Sequence, residues 1–304
     1  MSEVSSVTEL SRFSLWIRAV RPRTLSISVA PIIVGVAHAW ATHERVAVVP
    51  VVAATISALA IQIATNLAND AADGERGHDG PARLGPERVT GSSLMSAAEV
   101  KRGAVVATLV AALFGLVAVV HGGVPILLIG LASILAGWAY SNGPLPISAT
   151  PTGEAFVVAC FGVAAVVGIE WLASDAVGAS AAALGVAIGL PAAAVLTVNN
   201  HRDRDEDARN GRRTLAILLG ARGSKALYAV ELLVAVAIAT AVVAPRGLAV
   251  TLLVAACAVP ALVASWRLAR MPVGRELNGR LAATAGFQMM LAMVIAVALI
   301  GGIA

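Results

Sequence analysis

Apolar residues fall in long blocks along this chain, at 25-41, 50-69, 103-121, 124-140, 155-173, 179-198, 226-244, 247-265 and 284-303. Each block is long enough to cross the hydrocarbon of a bilayer as a helix, so the pattern predicts an all-α membrane protein of about nine transmembrane helices. Ahead of the first block, residues 12-23 set Phe13, Leu15, Trp16, Ile17 and Val20 among four arginines. That arrangement predicts an interfacial amphipathic helix ending at Pro22. The expected organisation is an N-terminal segment, 1-24, followed by one polytopic domain, 25-304.

Composition agrees with the pattern. With 58% hydrophobic and 13% charged residues among 304, and a mean hydropathy of +0.84, an ordinary soluble globule is excluded. The blocks are rich in Ala, Gly, Val and Leu, which suits close helix packing in lipid. No small-residue cleavage site follows the basic start, so the first block reads as a retained span. A cytoplasmic N-terminus puts every Lys and Arg except Arg45 and Arg246 on the cytoplasmic side, with the C-terminus outside. The net charge of +4 is scattered over separate loops, which fits contact with anionic membrane lipid and argues against nucleic-acid binding. Cys160 and Cys257 lie inside apolar blocks without metal or disulfide spacing and read as small core hydrophobes.

Two polar segments interrupt this background. Asn66-Leu67-Ala68-Asn69-Asp70-Ala71-Ala72-Asp73, followed by Asp79, ends the second block. Asn199-Asn200-His201-Arg202-Asp203-Arg204-Asp205-Glu206-Asp207 ends the sixth. On a helix, Asn66, Asn69, Asp70 and Asp73 share one stripe, and Asn199, Asp203 and Asp207 repeat it at i, i+4 and i+8. Aligning Asn69 with Asn199 puts Asp73 on Asp203, and Asp79 on Asp207 after a two-residue insertion. This predicts an internal pseudo-repeat of 130 residues whose halves carry motifs at 66-79 and 199-207.

Both blocks run from outside to inside, so these carboxylates sit at helix C-termini, where the backbone dipole disfavours them unless a cation is bound. An oxygen-only set, Asp70, Asp73, Asp79, Asp203 and Asp207, suits Mg²⁺ and not zinc or copper. Carboxylate-held Mg²⁺ keeps positions open for phosphate oxygens, so the expected ligand is a diphosphate. Arg88, Arg212-Arg213 and Lys225 are candidates for its remaining oxygens, with Arg21 and Arg23 behind them; positive-inside charge is the competing explanation for each. Tyr140 reads as an interfacial anchor, a ring-stacking group or a proton-handling group. Asp205 and Glu206 read as solvated charge, Glu154 as an acid at a helix N-terminus, and His201 as a flank of its motif. Glu231 and Gln288 are expected to pair inside the bundle. Nucleotide-binding loops, HExxH and a Ser/His/Asp set are absent from the sequence.

At these residues the chain resembles the UbiA superfamily of intramembrane aromatic prenyltransferases, with paired motifs of the form NDxxDxxxD and DxxxD. Within it the chain is most similar to the 1,4-dihydroxy-2-naphthoate polyprenyltransferases of menaquinone synthesis. Arg21-Pro22-Arg23-Thr24-Leu25, the stretch from Asn66 through Gly85-Pro86, and that from Asn199 through Gly211-Arg212-Arg213-Thr214-Leu215-Ala216 carry this likeness. It departs from the pattern in placing Asp79 two residues late and in having Asn199-Asn200 where the first motif has Asn69-Asp70.

The resemblance implies a helical bundle around a central cavity that opens to lipid, with both Asp motifs under a cytoplasmic cap. Asp70, Asp73, Asp203 and Asp207 would act through Mg²⁺. Asn66, Asn69, Arg88, Tyr140, Asn199, Asn200, Arg212 and Arg23 would contact substrate. The implied reaction joins the prenyl group of a polyprenyl diphosphate to 1,4-dihydroxy-2-naphthoate, with loss of a proton and the carboxylate, giving demethylmenaquinone after oxidation. Other acceptors, namely 4-hydroxybenzoate, homogentisate, haem or chlorophyllide, define the alternatives within this chemistry. An ion-coupled transporter is the alternative outside it.

Overall fold

The computed structural model describes residues 11–76, 84–143 and 146–301. Helix α1 (Arg12–Val20) starts at Ser11, whose Oγ accepts from the Ser14 amide at 3.3 Å, and stops at Arg21 in the left-handed region (φ 56°). Pro22 does not simply end this helix. It opens α2 (Pro22–His43), where its fixed φ and missing N–H cost nothing. In α1, Leu15 and Ala19 are buried while Phe13 and Ile17 stay exposed, an outward apolar face suited to a membrane surface.

The remaining elements are α3 (Val48–Glu75), α4 (Ala97–Ser141), α5 (Gly153–Val158), α6 (Ala165–Ser174), α7 (Ala181–Arg209), α8 (Leu215–Val243), α9 (Leu248–Ala255), α10 (Ala258–Arg270) and α11 (Leu277–Gly301). All regular structure among the described residues is helical. A π-helical stretch, Ala159–Ala164, joins α5 and α6 into a single crossing, and α9 with α10 forms another.

Helix α4 doubles back at Gly123, whose φ of +64° and ψ of −152° belong to glycine. Trp138 Nε1 donates to Thr108 Oγ1 at 3.2 Å, and these positions are equidistant from Gly123, so the two arms run antiparallel. Trp171 Nε1 satisfies the Gly122 carbonyl at the turn (2.9 Å). Eight helical units are long and apolar enough to span a bilayer. Counting α4 as two arms gives nine crossings among the described residues, the number the hydropathy pattern predicts.

The largest core joins α2, α7, α8 and α11 through Leu184, Ile188, Leu232, Leu291 and Ile295. Helix α7 meets the π-helical stretch backbone to backbone: a Cβ on Gly185 would stand 2.6 Å from Val163 Cα. Such approach matters in lipid, where helices gain little from burying more apolar surface. Gln288 and Glu231 do not pair. Gln288 Nε2 donates to the Ile188 carbonyl (3.1 Å) and Glu231 accepts from Thr197 Oγ1 (3.0 Å), each taking a nearer partner on α7.

One end of the bundle carries the Asp motifs. At the opposite end, fully buried Glu170 meets His38 Nδ1 (2.9 Å), His43 Nε2 (3.2 Å) and the Gly178 amide (2.8 Å). Arg45 pairs there with Asp175 (2.8 Å), and Arg246 donates to the Leu299 and Ala41 carbonyls. The two basic residues set apart by sequence therefore share this end. Helices α3 and α7 continue to Glu75 and Arg209, so both motifs remain helical beyond the apolar blocks and hold their carboxylates on helix faces.

Candidate active site

In the first half-site, Asn66 Nδ2 donates to the Val20 carbonyl (2.9 Å) and to Thr24 Oγ1 (3.0 Å), and Thr24 donates to the Arg21 carbonyl (2.9 Å). Asn66 thereby fixes the α1–α2 turn and holds Arg21 3.8 Å from Asp70. Asp70 Oδ1 accepts from Thr90 through both the amide (3.1 Å) and Oγ1 (2.6 Å). Asp73 is ion-paired with Arg88 and with Arg212. Arg88 Nη1 also donates to the Asn69 carbonyl (3.0 Å) and Oδ1 (3.1 Å). Arg88 and Thr90 are thus held against the end of α3 by charge and hydrogen bonds.

The second half-site uses the same residue types. Arg202 donates to both oxygens of Asp203 (2.7 and 2.6 Å), to Asn199 Oδ1 (2.9 Å) and to Asn278 Oδ1 (2.5 Å). Asn278 Nδ2 in turn donates to the Leu84 carbonyl (3.0 Å). Asn69–Arg88–Asp73 and Asn199–Arg202–Asp203 are therefore two Asn–Arg–Asp clamps whose Asn and Asp members stand 130 positions apart. Arg212 joins them, lying 2.9 Å from Asp73 and 3.3 Å from Asp207. Asn200 faces away toward Glu154 (2.9 Å).

Arg202, a residue that spacing arguments passed over, is 2% exposed at the centre of this network. Its signal in the sequence was its place between Asn199 and Asp203, masked by the abundance of basic residues nearby. Lys225 corrects an expectation: its Nζ donates to the Ala269 and Met271 carbonyls (3.1 and 2.8 Å) and so caps α10. His201 bonds Ser224 (2.8 Å). Asp205 is solvent-facing beside Arg204. Asp79 lies outside the described residues.

Below the clamps opens a cavity of about 1060 Å³. Arg21, Arg23, Asn66, Asn69, Asn199 and Tyr140 lie on its polar side, and Tyr140 stands 6.5 Å, centroid to centroid, from Phe156 on the same wall. Ala54, Ala118, Ile126, Gly168 and Leu172 line its apolar reach. Ala54 and Asn69 both line it from α3, about 22 Å apart along the helix. A charged head on a long apolar channel is the shape of an amphiphile with an anionic head group.

Among the described residues, no three acidic, His or Cys side chains form a ready-made metal cage. The donor chemistry nevertheless fits a hard divalent cation. Arg212 shows Asp73 and Asp207 already disposed around one positive group, and the facing carboxylates and Asn side chains offer oxygen alone. Occupation requires the arginines to give way.

Residues 28–279 match the UbiA prenyltransferase family. The chain is 34% identical over 227 residues to a 1,4-dihydroxy-2-naphthoate octaprenyltransferase of Escherichia coli K12, covering 73% of each. It is 34% identical over 219 residues to a protein of the same name from Mycobacterium tuberculosis, covering 72% of this chain and 74% of that one. Its fold is that of a UbiA homologue from Archaeoglobus fulgidus solved with GPP and Mg²⁺ (TM-score 0.68, 14% identity, 93% of this chain and 99% of that one). A UbiA homologue from Aeropyrum pernix K1 is similar to the same degree (TM-score 0.67, 16% identity, 94% and 99%). The transporter alternative falls away, because this chain, a multi-pass membrane protein with two Asp motifs at the head of an apolar cavity, belongs to the UbiA prenyltransferase family.

Proposed function

We propose that this protein transfers a polyprenyl group from its diphosphate to 1,4-dihydroxy-2-naphthoate, in a Mg²⁺-dependent reaction at the cytoplasmic face of the cell membrane. The observation that carries the reading is the charged head of paired Asp motifs and arginines set on one long apolar cavity. The names of the relatives at 34% identity supply the acceptor. The excess of Lys and Arg at the motif end supports its cytoplasmic placement.

Asp70, Asp73, Asp203 and Asp207 would hold the metal, which when bound neutralises the diphosphate leaving group. Arg88, Arg202 and Arg212 bind the diphosphate oxygens that remain. The apolar walls keep water from the allylic carbon while the electron-rich ring is held beside it. The C–O bond to diphosphate breaks and a C–C bond to the ring forms. The carboxyl group loses its proton and departs as CO₂ from the ring carbon that takes the prenyl group, its bonding electrons restoring the aromatic ring. The product therefore leaves as the quinol, the reduced form of demethylmenaquinone. The two clamps are read as the equivalent halves of one duplicated unit.

Purified protein in nanodiscs, given polyprenyl diphosphate, Mg²⁺ and a panel of acceptors, tests this by mass spectrometry of the product. Dihydroxynaphthoate should be prenylated in preference to 4-hydroxybenzoate and homogentisate, and chelation should abolish turnover. Asp73→Asn and Asp203→Asn should each lower kcat by at least about 100-fold. Normal turnover in both variants would remove the metal assignment, and preference for another acceptor would remove the naphthoate.

A further inference from the structure

Five buried polar residues line the cavity: Ser28, Gln62, Asn66, Arg88 and Arg202. Asn66, Arg88 and Arg202 are tied into the charged head. The other two are not. Ser28 Oγ and Gln62 Oε1 have no hydrogen-bond partner, although the residues are 4% and 8% exposed. Three other hydroxyls on the cavity wall are satisfied by backbone, Thr24 by the Arg21 carbonyl (2.9 Å), Ser57 by Ala111 (2.8 Å) and Thr65 by Ile61 (2.9 Å). Among the described residues, the further buried hydroxyls without a partner, on Ser141, Thr214 and Thr240, do not line the cavity.

The two orphans form one layer. Helices α2 and α3 run antiparallel and touch at Thr24 and Asn66 (3.0 Å). Ser28 is four residues beyond Thr24 on α2, and Gln62 four residues before Asn66 on α3. Each therefore stands one helical turn, about 6 Å, deeper than that contact. An unpaired amide and hydroxyl inside a membrane bundle are costly. A prenyl tail, having neither donors nor acceptors, leaves both unpaired. A hydroxylated ring satisfies them: the amide offers a donor and an acceptor, and the serine the same. The layer also lies where a ring must lie to meet an allylic carbon attached to a diphosphate in the head.

We propose that Ser28 and Gln62 are the subsite that recognises the ring hydroxyls of a dihydroxylated aromatic acceptor. The proposal rests on the prenyl-transfer reading above and adds to it the residues that select the acceptor. Sites built to hydrogen-bond a substrate hydroxyl reject analogues lacking it far more strongly than apolar pockets reject size changes. Ser28 and Gln62 thus set acceptor choice, while the clamps hold the donor.

The test is equilibrium binding of 1,4-dihydroxy-2-naphthoate and of 2-naphthoate, which lacks both hydroxyls, to the full-length protein in detergent without donor. The wild type should prefer the dihydroxy compound. Gln62→Leu and Ser28→Ala should each weaken that compound by about tenfold or more and leave 2-naphthoate and polyprenyl diphosphate binding unchanged. Leucine suits an apolar layer, so the thermal midpoint of Gln62→Leu should equal or exceed that of the wild type. Undiminished preference in both variants overturns the subsite and leaves the acceptor reading intact, as does a wild type that binds the two naphthoates equally. A wild type that binds polyprenyl diphosphate but neither naphthoate overturns the acceptor reading, and the subsite with it.

Discussion

Asp73 and Asp207 face each other across the guanidinium of Arg212, at 2.9 and 3.3 Å, although they are the ends of helices whose sequences lie far apart. Both carboxylates are nearly inaccessible, at 4% and 6% exposure. Arg212 is therefore the counter-charge that lets the two motifs approach. In the mechanism proposed here, a divalent cation and a diphosphate take over that task.

Replacing Arg212 with Gln should accordingly destabilise the protein in the absence of divalent cations. Removing one partner from a buried ion pair costs about 3–5 kcal/mol, and here two carboxylates are left facing each other. Mg²⁺ should stabilise the variant more than the wild type, because binding to the folded state alone raises stability with ligand concentration. Thermal unfolding with chelator and with Mg²⁺ measures both effects. Equal Mg²⁺ stabilisation of the two proteins would show that Arg212 does not share its site with the cation.

Arg202 should tolerate no cation other than arginine. Its planar fork serves both oxygens of Asp203 and two asparagines at once, a pattern that a lysine ammonium does not reproduce. Arg202→Lys is expected to lower kcat/KM for the prenyl diphosphate by roughly 10- to 100-fold, the cost of one or two charge-assisted hydrogen bonds. Asn278→Ala, which frees Arg202 and the Leu84 carbonyl together, should move the same parameter in the same direction by less. Steady-state kinetics with each substrate varied decides it: a Lys variant with wild-type kinetics removes Arg202 from the site.

The crossings, their number and the shared end of the two motifs were legible because bilayer thickness forces long apolar blocks and because carboxylates are expensive there. Arg202, Lys225 and Gln62 were not legible, each for a physical reason. Arg202 and Lys225 belong to a basic population that membrane orientation already explains, so only their partners, Asp203 for one and the α10 carbonyls for the other, separate function from capping. Gln62 sits inside the apolar block 50-69, where a single amide barely alters hydropathy and its lack of a partner shows only once helices pack. The hairpin at Gly123 was readable as a short connection. The π-helical stretch at Ala159–Ala164 left no mark in periodicity.

That stretch supports another expectation. Gly185 stands where an added Cβ would meet Val163 Cα at 2.6 Å, a contact with backbone that no side-chain rotation relieves. Gly185→Ala should force α7 away from the α5–α6 crossing and cost about 1–3 kcal/mol, the range for overpacked cores. A lowered thermal midpoint reads this out, and an unchanged midpoint would mean that the two helices are not held at this distance.

Lys225 offers the opposite test, a basic residue beside the second motif whose loss should leave catalysis alone. Its ammonium donates to the carbonyls of Ala269 and Met271, two acceptors at the end of α10 that the helix itself cannot satisfy. Lys225→Met keeps the aliphatic stem and removes both bonds, so stability should fall by about 1 kcal/mol. KM for the prenyl diphosphate should stay within about twofold of wild type, because uniform binding energy lost from a phosphate contact would raise KM well beyond that. Were Lys225 to reach the diphosphate during turnover, KM would rise at least about tenfold and the α10 cap would be a resting arrangement. Parallel measurement of the thermal midpoint and of KM in this variant separates the two, since a cap moves the first alone.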